Sequence, residues 1–359
     1  MSFTFKDSIS LTIFGSSHGE LVGCTLNGLP SGIKIEQGFV DKWMERRAPG
    51  KSPLTSQRKE KDQARVVSGL REGYTDGGAI TILISNEDTI SSHYDDLKEN
   101  PRPGHGDLGL FLKYGEHRNY AGGGFLSGRM TAPLVAAGSI ALQILEMKGF
   151  RFSTYLESLG TVNSGITEFM DENSIYRHET RIPNDSKDEE ARNHLKNIAS
   201  EGDSTGGIIG THLENIPAGL GEPFFDSMES ILSHLLFSIP GVKGVEFGAG
   251  FSMSSMKGSE ANDVFRFKEG KYYSDTNMNG GILGGISYGN PLYFRTAMKP
   301  TSSIRKEQTT VNLSTHKESN IVVKGRHDPC IAIRAVPVVN CVTAIGILDL
   351  YLRAGFSVR

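Results

Sequence analysis

The chain has 359 residues and a formal net charge of −3, with 37% of its residues hydrophobic and 22% charged. That balance is ordinary for a soluble globular protein; with no general basic surface, nucleic acid is not an expected partner and any cationic site must be local. Three cysteines, Cys24, Cys330 and Cys341, form no CxxC pair, which argues against a disulfide framework or structural zinc and predicts a reducing, cytoplasmic setting without a bound metal.

The first ten residues carry Lys6 and Asp7 and hold no signal-peptide core. The most apolar run, Ala132 to Met147, is broken by Ser139 and Gln143 and reads as too short and too mixed to span a bilayer, so no membrane association is expected. Glycine is the unusual component, at 43 residues clustered beside His, Arg, Ser and Asp. Such clusters suit either a turn-rich fold or a site assembled from several loops that approach a ligand closely.

In chain order, residues 9–35 alternate and turn like a strand pair, with Ser8 to Phe14 as the first strand and Gly15-Ser16-Ser17-His18-Gly19-Glu20 as the loop after it. Glu36 to Arg47 reads as a helix with Phe39, Trp43 and Met44 on one face, stopped by Pro49-Gly50. Arg46 and Arg47 in its last turn suit the helix dipole as well as a ligand. Residues 51–65 form a basic loop, and Val66-Val67 and Ala79 to Ser85 read as strands of an antiparallel sheet. Thr131 to Lys148 is a helix whose small residues permit close packing, and the polar stretch 171–190 reads as an exposed connection. A second αβ segment, Lys196 to Phe251, includes a helix over Asp226 to Ile239 with a capping-box pattern, Asp226 and Glu229. Ile331 to Arg353 is a further apolar helix; Arg334 and Pro337 in it loosely echo Arg129 and Pro133, a hint of internal pseudo-symmetry. No linker divides the chain, so one α+β domain over residues 1–359 is expected.

Two familiar spellings fail on context. Gly104-His105-Gly106-Asp107-Leu108-Gly109 matches GxGxxG but follows Pro101-Arg102-Pro103 where a dinucleotide site needs a strand. Gly50-Lys51-Ser52 resembles the end of a phosphate-binding loop, but Glu45 stands where the first glycine belongs. No HExxH, EF-hand loop or GxSxG elbow is present.

What remains is a set of loops pairing a cation with glycines or hydroxyls: Arg46-Arg47, Arg58, Arg102, Ser127 with Arg129, Lys299 to Ser303, and Arg326 to Pro329. Guanidinium, ammonium, hydroxyl and free backbone N–H groups are what phosphates and carboxylates require. His18 and His105 sit in glycine loops, either as surface residues or as proton donors beside an anion. Asp328, between His327 and Pro329, reads equally as a local ion-pair partner of Arg326. These residues point to an anionic, phosphorylated small molecule handled by two histidine acids, and they name neither cofactor nor reaction.

Taken in order, the segments resemble the chorismate synthase family over essentially the whole chain. The match runs through Phe14 to Gly19, Arg102 to Asp107, Lys113-Tyr114-Gly115, Gly202-Asp203-Ser204, Pro217 to Pro223, Gly244-Val245-Glu246, Gly280 to Ser287, Lys299 to Ile304 and Gly325 to Cys330. The resemblance implies a βαβ sandwich with mixed or antiparallel sheets, assembled as a homotetramer. It implies anti-1,4-elimination of phosphate from 5-enolpyruvylshikimate 3-phosphate to give chorismate, in the shikimate pathway to aromatic amino acids. The cofactor it implies is reduced FMN, supplied by an external reductant because no nicotinamide site is apparent.

By matching position, the resemblance makes His105 the acid toward the departing phosphate. It places His18 at the flavin N1/O2 edge and gives Asp328 proton removal assisted through N5. Ser17, Arg47, Arg58, Arg102, Arg129 and Arg326 would grip the substrate. Leu126, Ser127, Gly128, Pro240, Gly241, Gly284, Lys299, Pro300, Thr301, Ser302, Ser303 and Arg326 would line the FMN. The chain departs from the family pattern where Ser16 replaces Glu, Pro53 replaces Arg, and Ala121, Phe125 and Met130 replace Arg, Arg and Glu; Pro240-Gly241 stands in place of Asn-Ala. Each lost charge-assisted contact is worth about 1.5–3 kcal/mol of binding. The alternative expectation is therefore a divergent, non-catalytic homologue that binds flavin or a phosphorylated ligand.

Overall fold

The structure, a computed structural model, describes residues 3–50, 54, 61–87, 97–323 and 327–358. The chain begins with β1 (Thr4–Lys6), β2 (Ser10–Gly15), β3 (Leu21–Asn27) and helix α1 (Gln37–Arg47). It continues through β4 (Arg65–Ser68), the short pair β5 (Leu70–Arg71) and β6 (Tyr74–Thr75), and β7 (Ile80–Ser85). The first sheet has the order β1-β2-β3-β7-β4. Helices α2 (Asp107–Tyr114) and α3 (Thr131–Met147) follow, then β8 (Arg151–Leu159), β9 (Val162–Asn163), α4 (Glu172–Tyr176), α5 (Asp185–Ser200) and β10 (Gly207–Glu214). Next come α6 (Met228–Leu236), β11 (Val242–Phe247), α7 (Gly258–Ala261) and two hairpins, β12 (Phe265–Lys268) with β13 (Lys271–Ser274) and β14 (Ile282–Leu283) with β15 (Ile286–Ser287). Strand β16 (Leu292–Met298), the hairpin β17 (Gln308–Asn312) and β18 (Lys317–Ile321), and α8 (Ala332–Arg353) complete the chain. The second sheet has the order β11-β16-β10-β8-β9. Every strand pair among the described residues is antiparallel.

The strands carry the period-two burial expected of sheets covered on one face. Ile80, Ile82 and Ile84 of β7 point inward, as do Leu292, Phe294, Thr296 and Met298 of β16. Between the sheets lie α3, packed on β2, β3 and β7, and α8, packed on β8 and β10. Each is apolar around its whole circumference, as a helix enclosed by protein must be. Every residue from Thr131 to Leu145 is buried, and so is every residue from Ala332 to Leu350 except Arg334. The two helices touch closely because Gly138 has no Cβ; one there would lie 2.4 Å from the Cys341 carbonyl oxygen. Core residues of both sheets and of these helices join in one hydrophobic cluster, so the α+β sandwich is the observed architecture.

Several local expectations are corrected. Gly128–Met147 and Ala332–Arg353 are long and apolar enough to cross a bilayer by length and composition, but 89% of the apolar window of each is buried inside the protein. The stretch 171–190 is not a bare connection: it contains α4 and the start of α5, capped by the side chains of Asp171 and Asn184. The helix placed at 226–239 runs from Met228 to Leu236, and Ser227 rather than Asp226 caps it, accepting from the Ser230 N–H at 3.1 Å. Asp226 instead pairs with Arg353 at 2.9 Å, so no capping box forms with Glu229.

Candidate active site

Thr131 opens α3 and Arg334 lies in the first turn of α8, and both line a cavity of about 410 Å³. Loops carrying Arg102 to Gly106, Leu126 to Gly128, Ile239 to Gly241, Lys299 to Ser303 and His327-Asp328 complete its walls. Two N-terminal helix ends at one place turn their positive dipole ends toward the cavity, which favours anions.

The Arg102 loop is built around Asp107, the first residue of α2. Arg102 grips its carboxylate with Nε at 2.7 Å and Nη2 at 2.9 Å, and the Arg102 backbone N–H adds a bond of 3.1 Å. His105 places Nδ1 2.7 Å from the same carboxylate. Burial works against ionisation of Asp107, but hydrogen bonds from Arg102 and His105 outweigh it and hold the carboxyl well below the usual range. Gly106 lets Leu126 close over the loop: a Cβ there would sit 2.4 Å from Leu126 Cδ1 and turn that side chain aside.

A second cluster joins Arg47 at the end of α1, Arg129 ahead of α3, and Asp62. Each arginine Nη1 donates to a different oxygen of Asp62. Arg47 also donates to Thr131 Oγ1 and the Gly128 carbonyl, both at 3.1 Å; Arg129 donates to Asn86 Oδ1 at 2.8 Å and the Ser85 carbonyl at 2.9 Å. Burial lowers the Arg47 guanidinium to about 10; Asp62 opposes this, while Arg334 and Arg129 add to it. Burial disfavours the Asp62 anion, yet the two arginines hold its carboxyl below the ordinary carboxylate range.

Across the cavity, Arg334 pairs with Asp328 at 3.0 Å, and the Asp328 carbonyl accepts from Thr301 Oγ1 at 2.7 Å. Lys299 Nζ donates to the Gly104 carbonyl and lies 2.9 Å from Ser302 Oγ, with no carboxylate beside it among the described residues. Partial burial, with Lys243 nearby, keeps its ammonium below the usual lysine range. Arg47, Arg102, Arg129, Lys299 and Arg334 thus outnumber Asp62, Asp107 and Asp328 around the site. Leu126, Ile239, Met298, Ile331 and Val338 supply an apolar wall.

Of the residues expected from sequence, His105, Asp328, Arg47, Arg102, Arg129, Leu126, Ser127, Gly128, Pro240, Gly241, Lys299, Pro300, Thr301, Ser302 and Ser303 all line this cavity. His18 lies directly behind the wall: a Cβ on Gly122 would fall 2.0 Å from its Cδ2. Ser17 does not line the cavity; its hydroxyl donates to the Gly122 carbonyl at 3.1 Å and buttresses the glycine run. Gly284 is also elsewhere, at φ +60 in the turn of the β14–β15 hairpin, whose Gly285 packs on Ser227. Arg58, Arg326 and Pro53 lie outside the described residues.

The departures from the family pattern have structural occupants. Phe125 packs edge-on against Phe3 at 5.5 Å and Tyr114 at 6.3 Å, and Met130 joins the main core. Ala121 offers its carbonyl toward Ser17 Oγ at 3.4 Å, and the Ser16 carbonyl accepts from Asn86 Nδ2 at 3.0 Å. Sequence reasoning missed Asp62, Thr131 and Arg334 as site residues and gave Asp107 no role. Only Arg334 had a signal, its likeness in position to Arg129. Among the described residues, no group of three or more His, Cys, Asp and Glu gathers as metal ligands.

Residues 9–352 match the chorismate synthase family. Chorismate synthase of Korarchaeum cryptofilum is 42% identical over 351 residues, covering 98% of this chain and 97% of its own. That of Sulfolobus acidocaldarius is 44% identical over 355 residues, covering 96% of this chain and 89% of its own. A crystal structure of chorismate synthase superposes with a TM-score of 0.74 at 26% identity, covering 96% of this chain and 92% of that one.

Proposed function

The chain belongs to the chorismate synthase family of carbon–oxygen lyases, and on that premise we propose that its cavity eliminates phosphate from 5-enolpyruvylshikimate 3-phosphate with reduced FMN. One observation carries the reading. His105, Asp328, Arg47, Arg102, Arg129 and Arg334 converge on a single cavity that is also lined by Leu126, Ile239, Met298, Ile331 and Val338.

The residues present fit the cofactor. Leu126, Ile239, Met298, Ile331 and Val338 suit a flat ring system, and Lys299 with the hydroxyls of Thr301, Ser302 and Ser303 suits a phosphate. Bound there, reduced FMN supplies electron density to the breaking carbon–oxygen bond. The arginines hold the substrate anions by charge-assisted hydrogen bonds. His105 gives a proton to the departing phosphate, and Asp328, fixed by Arg334, assists removal of the ring proton. His18, behind Gly122, is the second histidine placed to serve as a proton donor, the role the family resemblance gives it at the flavin edge. The reading includes a separate partner that reduces the flavin.

The same reading extends to a cytoplasmic homotetramer that needs neither nucleic acid nor membrane. Phe265, Phe267 and Tyr272 on the β12–β13 hairpin are 62%, 63% and 74% exposed, an apolar surface suited to cover by further copies. Sedimentation at micromolar concentration tests this; a monomer would refute it. The reaction is tested under anaerobic conditions, with and without reduced FMN. Phosphate and chorismate are expected only with the reduced cofactor, and His105→Ala is expected to abolish most turnover. Tight flavin binding by folded protein without turnover would replace this reading with the non-catalytic alternative.

A further inference from the structure

We propose that Asp107 is a positioning residue that fixes the tautomer of His105, keeping a proton on Nδ1 so that Nε2 is the atom that gains and loses a proton. Its catalytic meaning rests on the function proposed above; its structural content does not.

Donor and acceptor chemistry fixes the tautomer. An ionised carboxylate only accepts and a guanidinium only donates. His105 Nδ1 lies 2.7 Å from Asp107 Oδ1, while Arg102 Nη2 lies 3.1 Å from Nδ1 and 3.3 Å from Nε2. If the proton were on Nε2, the bare Nδ1 lone pair would face the carboxylate oxygen at hydrogen-bond distance. With the proton on Nδ1, Nδ1–H and one Arg102 Nη2 proton both donate to Asp107 Oδ1, which accounts for the 3.1 Å between those two nitrogens, and the Nε2 lone pair at 3.3 Å is left for the second Nη2 proton. Asp107 is fit for this task because it cannot turn away. It is 6% exposed, takes two side-chain bonds and one backbone bond from Arg102, and stays ionised under that grip.

The other charged and titratable groups around the ring are few. Arg102 comes from the same loop, and Lys299 reaches that loop from the segment after β16 through the Gly104 carbonyl. His18 stands on the far side of the glycine run, in contact with Gly122 where His105 contacts Gly123. None of these accepts from Nδ1 in place of Asp107. The arrangement is the one by which a carboxylate orients an imidazole that works through its other nitrogen.

The test uses the full chain labelled with ¹⁵N-histidine, with His105 assigned by the signal missing in H105Q. At alkaline pH the wild type is expected to show a protonated Nδ1 and an unprotonated Nε2. D107A should move the proton to Nε2; D107N, which keeps the side-chain volume, serves if D107A does not fold. A wild-type ring protonated on Nε2, or a tautomer unchanged in both variants, would overturn the proposal. This readout needs no turnover, so it stays decisive even if the assay for chorismate fails. If turnover is present, D107N should lower kcat on the order of 100-fold or more with a much smaller change in KM, as loss of an orienting carboxylate does elsewhere. An unchanged kcat, or a fall in kcat without a tautomer change, would refute the positioning role.

Discussion

Replacing Asp62 by Asn is the sharpest perturbation of the site's foundations. The substitution keeps the side-chain volume but removes the one charge lying between Arg47 and Arg129, which are 3% and 6% exposed. Breaking a buried ion pair by deleting one partner costs about 3–5 kcal/mol, because the surviving charge stays buried. Here the arginines keep their bonds to Thr131, Gly128, Asn86 and Ser85, so the lower end, about 3 kcal/mol, is expected. That is a large share of the roughly 5–15 kcal/mol that holds a domain folded. Urea unfolding at neutral pH should show a lower midpoint with an unchanged slope. The acid limb supplies a second check. Asp62 is held below its ordinary value in the folded state, so its contribution is fully present above the unfolded value of about 3.9 and is lost as pH falls through the folded value. The gap between wild type and D62N should therefore narrow below about pH 4. A loss under about 1 kcal/mol at neutral pH, or a gap that widens in acid, would show that Asp62 does not hold the two arginines as an ion pair.

Three further outcomes are expected. Gly122→Ala puts a side chain at φ +58 and into His18, so the variant should lose both activity and about 1 kcal/mol or more of stability; full activity would contradict the placement of His18. Ser227→Ala should destabilise by about 1 kcal/mol through loss of the α6 cap. Asp226→Ala should cost less than about 0.5 kcal/mol, and the reverse order in urea unfolding would restore Asp226 as the cap. Burial pushes the thiols of Cys24 and Cys330 up to about 12 and raises that of Cys341, so Ellman's reagent should label none of them until the protein unfolds; rapid labelling of native protein would contradict their burial.

The parts of the fold legible in the sequence were those with a strong local pattern. Helices α1, α3 and α8 were placed within a residue or two because their apolar runs and stops are unambiguous. Helix α5 was not, because its buried stripe, Asp188, Ala191 and Leu195, has helical spacing but only two apolar members, and its cap, Asn184, sits inside a polar stretch. The capping-box spelling at Asp226 misled for a different reason: Ser227, one residue on, has the extended backbone that a cap requires, and Asp226 is drawn away by Arg353. In the site, residues in loops with distinctive spellings were found. Those whose role depends on a partner elsewhere in the chain were not.

Asp62 shows why. It lies 15 residues from Arg47 and 67 from Arg129, in a segment whose composition says only that it is polar. Arg129 and Arg334 each stand beside the N-terminal end of a buried helix, and each is paired with a carboxylate, Asp62 or Asp328. Without those carboxylates, the cations would meet two positive helix ends in a half-enclosed cavity, and mutual repulsion would push them outward or disfavour the fold. With them, the site keeps a modest positive excess that an anionic ligand can satisfy. The charges missing at positions 125 and 130 fit this balance. Phe125 and Met130 turn into apolar packing rather than leaving unpaired polar groups, and among the described residues the cations at the cavity are fastened by internal carboxylates or, for Lys299, by the Gly104 carbonyl and Ser302. Binding strength at this cavity therefore depends as much on Asp62, Asp107 and Asp328, which repel the ligand, as on the arginines they hold in place for it.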